Sequence, residues 1–300
     1  MHILLFGQNG QLGWELQRAL APLGRVTALS KKSVELCGDF LDPAGIAKTI
    51  RILKPDIIVN AVGYTAVDQA ESEKYVAQCI NSISVEVIAR EANFLGALLI
   101  HYSTDYVFDG AGYSAWSEID KPSPINFYGK SKLDGELAVQ SLCDRHLIIR
   151  TSWIYSSRGD NFIKNILRLA KKRDSLEIVN DQYGAPTGAD LIADCSAHMI
   201  SAVVKGSNPY GIYHVTASGS TTRYEYAVFI IQRVLNQGEE LKVKNIIPIH
   251  SNEYPQKALR PHNSTLNTEK FQMEFGLVLP VWQFGVERVL AGCKFNYDDL

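Results

Sequence analysis

Apolar residues recur along the chain with two alternating periods. Short apolar runs at His2–Phe6, Arg25–Leu29, 56–60, 97–102 and 146–150 have the length of buried strands. Between them, 14–20, Pro43–Leu53 and 72–94 carry apolar residues at the three-and-four spacing of helices. Strand and helix taking turns predict an α/β chain whose parallel sheet is covered on both faces. Beyond residue 150 the pattern predicts helices over 161–172, Ala189–Val204, 224–235, 268–275 and 281–291, with short strands over 176–179, 211–215 and 246–249. The expectation is a doubly wound sheet in residues 1–150 and a smaller α/β lobe drawn mainly from 151–300, with later segments crossing back.

Glycines mark the first strand-to-helix junction. His2–Phe6 ends in Gly7 Gln8 Asn9 Gly10 Gln11 Leu12 Gly13 and a helix follows, which is the context a dinucleotide fingerprint requires. The spacing is GxxGxxG, one residue wider at the first gap than the commonest form. In such a turn the backbone at Gly7, Gly10, Gln11, Leu12 and Gly13 approaches a pyrophosphate, and the helix N-terminus offers it free N–H groups.

At the end of the second strand an acidic residue would ordinarily hold the adenosine ribose, but here Ser30, Lys31 and Lys32 follow. Lysines attract a 2′-phosphate that a carboxylate would repel, so NADPH is expected over NADH, with dual use left open. Asp39 and Phe40 fall where the next loop would meet adenine, Asp39 accepting from its amine and Phe40 covering its ring. Ala61, Gly63, Tyr64 and Thr65 close the third strand with small side chains at the switch point where a ligand enters. Asn81, inside the long helical stretch, reads as structural.

The 97–102 strand runs into Ser103, Thr104, Asp105 and Tyr106, and alternation lets only one of Ser103 and Thr104 face the ligand. A loop then leads to Tyr128 and Lys132, four residues apart on one helix face. That spacing can set the ammonium beside the phenol, lower its pKa and make it a proton donor near neutrality.

The remaining composition narrows the class. The chain has 300 residues, 46% apolar and 21% charged, with a formal charge of -2. Nothing in that balance calls for nucleic acid or a membrane surface, and a small molecule is the expected partner. No run reaches the roughly 18 apolar residues of a spanning helix, and the chain starts on a strand without a basic leader, so a cytoplasmic location is expected. Cys37, Cys79, Cys143, Cys195 and Cys293 form no CxxC and read as buried thiols. His101 reads as a core histidine.

Together GQNGQLG, STDYVF and YGKSK, with TSWIY, NDQYGAPT and RPHNSTLN further on, resemble the extended short-chain dehydrogenase/reductase family over almost the whole chain. The resemblance implies a Rossmann-type nicotinamide-binding domain and a lobe that receives a nucleotide sugar. The branch it most resembles reduces the 4-keto group of dTDP-4-dehydro-6-deoxy-L-mannose to dTDP-L-rhamnose, a cell-envelope sugar precursor. Carried over by position, Tyr128 is the proton donor, Lys132 its partner and a nicotinamide-ribose ligand, and Thr104 the hydroxyl that orders the keto oxygen. Asp105, Tyr106 and Trp153 line the sugar pocket. Related dehydratases carry Glu where this chain has Tyr106, which disfavours elimination.

Some reductases of this kind dimerise around a divalent cation. For a homodimer holding Mg2+, Glu15 and Asp190 are the candidate ligands, with plain solvated acids the other reading. Arg260 is suited either to a diphosphate or to holding its loop. A cofactor-binding regulatory subunit, such as the β subunit of methionine adenosyltransferase, and a sugar epimerase remain alternative readings of the same resemblance.

Overall fold

The computed structural model describes residues 1–292, so Cys293 lies outside the described residues; Cys37, Cys79, Cys143 and Cys195 are free thiols. Six strands make the central sheet: β1 (His2–Phe6), β2 (Arg25–Leu29), β3 (Ile57–Asn60), β4 (Leu98–Thr104), β5 (His146–Thr151) and β6 (Gly211–His214). They lie in the order β6-β5-β4-β3-β1-β2, and every pairing is parallel. The order reverses between β1 and β3, so the crevice at their carboxyl ends is the switch point of a doubly wound Rossmann-type sheet.

Alternation along each strand feeds two cores. Ile3, Leu5, Val59 and Ile100 meet helices α1 (Gln11–Leu20) and α6 (Ala189–Val204), numbered with α2 (Pro43–Leu53), α3 (Ser84–Leu95), α4 (Phe127–Leu142) and α5 (Phe162–Lys172) in chain order. Leu4, Phe6, Ile58 and Leu99 face α2, α3 and Val139 of α4 on the other side. A third core joins α5, α7 (Arg223–Asn236) and α8 (Trp282–Gly292) through Ile166, Ile230, Trp282 and Val286. Beside it Ser175–Val179 pairs in parallel with Asn245–Ile249. The chain after residue 150 therefore serves both bodies: α5, α7 and α8 build the lobe, while α6 and β6 complete the Rossmann sheet.

The helical stretch expected over 72–94 is broken. Val67–Ala70 and Lys74–Gln78 are short helices, Cys79–Ile83 widens into a π-turn, and α3 follows. Asn81 lies within this turn, and its side-chain amide reaches other segments. It accepts from Tyr64 N at 2.8 Å and donates to Tyr64 O at 3.2 Å and to Ser131 Oγ at 2.9 Å, tying the end of β3 to α4.

Below the site, α4 is fixed to β5 by a buried ion pair. Arg150 Nε and Nη2 donate to the two carboxylate oxygens of Glu136 at 2.9 and 2.6 Å, with both side chains at 2% exposure or less. Phe108 stacks under the guanidinium at 5.1 Å, and beside it His214, pushed down to about 3 by burial and the arginine, stays neutral. Removing one partner of such a pair strands the other charge. Arg150→Met is expected to lower the unfolding free energy by about 3–5 kcal/mol, and adding Glu136→Leu to recover most of it. Urea denaturation measures both; a loss for the single variant under about 1 kcal/mol would show that the pair anchors nothing.

Candidate active site

The glycine turn is shaped by contact with β3. Gly7 sits at φ +97°, and a Cβ there would fall 2.9 Å from the Ala61 carbonyl group. Gly13 packs beneath it on the Gly7 carbonyl, so α1 starts hard against the strand and turns its first N–H groups to the crevice. Gly10, Gln11 and Leu12 line a cavity of about 410 Å³, together with Ala61, Val62, Gly63 and Thr65 from the end of β3. Gln11 is also bound by Asn161 Nδ2 at 3.0 Å, which links the turn to the start of α5.

Tyr128 reaches the same cavity because α4 begins tightly. Asn126 caps it, accepting from Gly129 N at 2.8 Å and donating to Leu259 O at 2.7 Å. A Cβ on Gly129 would come 2.1 Å from the Tyr106 carbonyl, and one on Gly135 would come 2.2 Å from that of Asn81. No other residue type lets the helix lie so close. Tyr128, Lys132, Thr104, Asp105, Tyr106 and Trp153 all line the cavity, so the expected catalytic and sugar-pocket residues converge.

Their electrostatics differ from the expected pairing. Lys132 Nζ donates to Tyr102 O at 2.6 Å, and burial lowers its pKa to about 8. Burial raises the Tyr128 phenol above its ordinary value, with Asp105 and Tyr106 adding to the rise; what opposes it is the Thr104 hydroxyl, not the ammonium. Without a ligand the lysine is spent on a strand carbonyl, so the direct Lys132–Tyr128 effect expected from spacing is not what the structure has. Instead Thr104 Oγ1 donates to Asp105 Oδ1 at 3.1 Å and accepts from Tyr106 N at 3.2 Å. Asp105 is raised to about 6 by burial, against the pull of neighbouring hydroxyls.

Three polar atoms of the cavity wall are buried without a hydrogen-bond partner: Ser103 Oγ, Thr151 Oγ1 and Asp105 Oδ2. Such atoms are rare in a finished interior, and these three belong to residues that line the cavity. With the glycine turn beside them, the donor set fits a dinucleotide.

The adenosine end needs correction. Phe40 is 2% exposed and packs edge-on against Phe6 at 5.4 Å, so its ring belongs to the core and does not cover a base. Asp39 Oδ1 accepts from Leu41 N at 3.0 Å, a turn-forming bond that leaves Oδ2 for a ligand. Ser30 is buried and accepts from Lys32 N at 3.2 Å, while Lys31 and Lys32 are exposed next to the glycine turn, whose Gly7 N donates to Leu29 O at 2.8 Å. Tyr64 turns its phenol to Glu73 at 2.7 Å; it does not line the cavity.

Glu15 and Asp190 do come together, on a hollow of about 190 Å³ that also holds Arg288. Each is already matched to an arginine, Glu15 to Arg18 at 3.5 Å and Asp190 to Arg288 at 3.4 Å. Among the described residues no group of three or more His, Cys, Asp or Glu is placed to hold a metal. The structure gives the Mg2+ reading no support. Arg260 holds its loop, with Nη2 on Asp68 Oδ2 at 2.5 Å. His101 is fully buried against Asn60 at 3.1 Å, as a core residue.

Sequence reasoning passed over Arg223, whose guanidinium lies 3.7 Å over the Trp153 ring on the cavity wall. A signal was present: Thr222 and Glu225 form a capping box, which makes Arg223 the first residue of α7. Trp153 itself sits at φ +46°, with its indole edge where a Cβ on Gly184 would lie. Val67, Tyr102, Thr151, Ser152 and Ile154 complete the wall.

The chain matches the RmlD substrate binding domain over residues 1–295. It is 54% identical to a dTDP-4-dehydrorhamnose reductase of Escherichia coli strain K12, covering 97% of each chain. Among solved structures it resembles a dTDP-4-dehydrorhamnose reductase from Bacillus anthracis in complex with NADP, at 33% identity and TM-score 0.86, over 97% of this chain and 99% of that one. A reductase of the same description from Clostridium acetobutylicum superimposes at TM-score 0.88 and 32% identity, covering 97% and 99%.

The raised Asp105 carboxyl has a consequence for stability. A carboxyl raised in the folded state binds its proton more tightly than the unfolded chain does. Its contribution is therefore complete below the ordinary value of 3.8 and is lost as pH rises through about 6. Asp105→Asn is expected to be more stable than the parent by about 2 kcal/mol at neutral to mildly basic pH, with the gain gone near pH 4. Urea denaturation at the two pH values decides it, and a gain independent of pH would assign the effect to something other than ionisation.

Proposed function

Because the chain belongs to the dTDP-4-dehydrorhamnose reductase family, we propose that it carries out NADPH-dependent reduction of the 4-keto group of dTDP-4-dehydro-6-deoxy-L-mannose, giving dTDP-L-rhamnose. The observation that carries this reading is the convergence of Thr104, Tyr128 and Lys132 with the glycine turn on one cavity. NADPH bound along that turn supplies the hydride. Gly10, Gln11 and Leu12 would hold its pyrophosphate, Gly63 and Thr65 would lie along it, and Lys31 and Lys32 would attract the 2′-phosphate.

Tyr128 gives the proton to the C4 oxygen as negative charge grows there. The Thr104 hydroxyl, which donates to Asp105 Oδ1 in the resting site, turns its proton to Tyr128 and so favours the phenolate that proton transfer leaves. Lys132, spent on the Tyr102 carbonyl in the free protein, would turn its ammonium to the nicotinamide ribose of a bound cofactor and bring its positive charge to that side of the site. Tyr106 stands edge-on to Tyr128 at 5.6 Å and puts an aromatic ring where the related dehydratases carry Glu, which suits reduction and not elimination. The same catalytic trio argues against a regulatory subunit that only binds cofactor. Stoichiometric oxidation of NADPH separates a reductase from an epimerase.

Two outcomes are expected. Tyr128→Phe should lower kcat by roughly 10²–10⁴-fold with the NADPH dissociation constant within about twofold of the parent; steady-state kinetics and calorimetry test the pair, and a variant that keeps normal turnover removes the assignment. Lys132 works as a cation and releases its proton near pH 8 in the free protein. kcat/KM for the keto sugar with NADPH kept well below saturation, which reports the free enzyme, should therefore fall as pH rises above about 8. A profile flat to pH 10 would deny the ammonium its role.

A further inference from the structure

Two arginines drawn into the fold are each neutralised by a carboxylate. Arg150 has Glu136, and Arg260 has Asp68. Arg223 lines the cavity yet, among the described residues, has no carboxylate within ion-pair distance and no hydrogen bond; its recorded contacts are the faces of Trp153 at 3.7 Å and Phe162 at 5.2 Å. Asp105 and Tyr106 act on it only through space. Stacking satisfies the flat face of a guanidinium and leaves its edge, where all five N–H donors lie, without acceptors. A cation presented in that way, on a ring that is itself wedged against Gly184, is held ready for a planar pair of anionic oxygens.

We propose that Arg223 is the anion subsite of the cavity, taking the diphosphate of the nucleotide sugar and so selecting a diphosphate-linked sugar over a monophosphate or a free sugar. This rests on the reading of the cavity as a nucleotide-sugar site. It also moves the diphosphate contact from Arg260, which Asp68 occupies, to an arginine on the first turn of α7, where the helix N-terminus adds its own positive end. The Trp153 ring then serves two ligand groups at once: one face carries the arginine, and the indole remains part of the sugar wall.

The test uses the full chain saturated with NADP+ and compares Arg223→Gln and Arg223→Lys with the parent by calorimetry, with dTDP, dTMP and thymidine as ligands. R223Q should lose roughly 10–100-fold in affinity for dTDP, the size of a lost charge-assisted hydrogen-bonded contact, with thymidine affinity unchanged. R223K, which keeps the charge and not the fork, should fall in between. dTDP affinity within twofold of the parent in both variants overturns the proposal, as does an equal loss for dTDP and thymidine. If R223Q does not fold, R223K alone decides by the same comparison. A variant that shifts only the acid limb of the pH profile makes Arg223 the countercharge of Asp105 and also overturns it. Should the parent fail to oxidise NADPH with the keto sugar and still show Arg223-dependent preference for dTDP, the proposed reaction falls and the subsite stands.

Discussion

The closeness of α4 to its neighbours is the constraint on which the site depends. Gly129 lies on the Tyr106 carbonyl and Gly135 on that of Asn81, at distances that exclude any side chain. A helix held off by even one methyl group would lift Tyr128 and Lys132 away from the end of β4. The two contacts act with the Asn126 cap at the start of the helix and the Glu136–Arg150 pair on the face toward the sheet. Position is thus fixed at several places along α4, which is what the proposed role of Tyr128 as proton donor requires, since a displacement of about an ångström costs orders of magnitude in rate.

Rigidity of the frame contrasts with the tension inside it. Asp105 carries a carboxyl that burial resists ionising, Lys132 an ammonium that burial resists charging, and Trp153 a left-handed backbone that a bulky residue adopts at a cost. None of these would be chosen for stability. Each is tolerated because the surrounding cores are dense and because the groups face a space meant for a polar molecule. Ser103 Oγ and Thr151 Oγ1, buried without partners, belong to the same account.

Much of this arrangement can be read from residue order, and the reasons are local. Strands buried on both faces declare themselves as apolar runs, and the glycines of the first turn mark a place where backbone must meet backbone. The Tyr128–Lys132 spacing needed only helical periodicity to place both on one face. What escaped is long-range. Whether Phe40 meets a ligand or Phe6 depends on how α2 and β1 pack. Whether Lys132 speaks to a phenol or to the Tyr102 carbonyl depends on which acceptor is nearer in three dimensions. Asn81 reads as an ordinary helical residue until Tyr64 and Ser131 are brought beside it. Arg223 was hidden in another way, because its partner Trp153 stands far off in the sequence and its role comes from partners it lacks.

The last strand of the sheet brings a further consequence, for how the chain is made. β5 is complete once Thr151 has been synthesised, but its outer edge is paired only when β6, Gly211–His214, has emerged. The face of α1 carrying Leu16 and Leu20 likewise waits for α6. During translation the nascent sheet therefore spends some sixty residues with an open edge and an uncovered apolar face, the state in which chains most readily stick to one another. A fragment ending at residue 150 would stay in that state permanently, so the first half of the chain is a unit of architecture and not of folding.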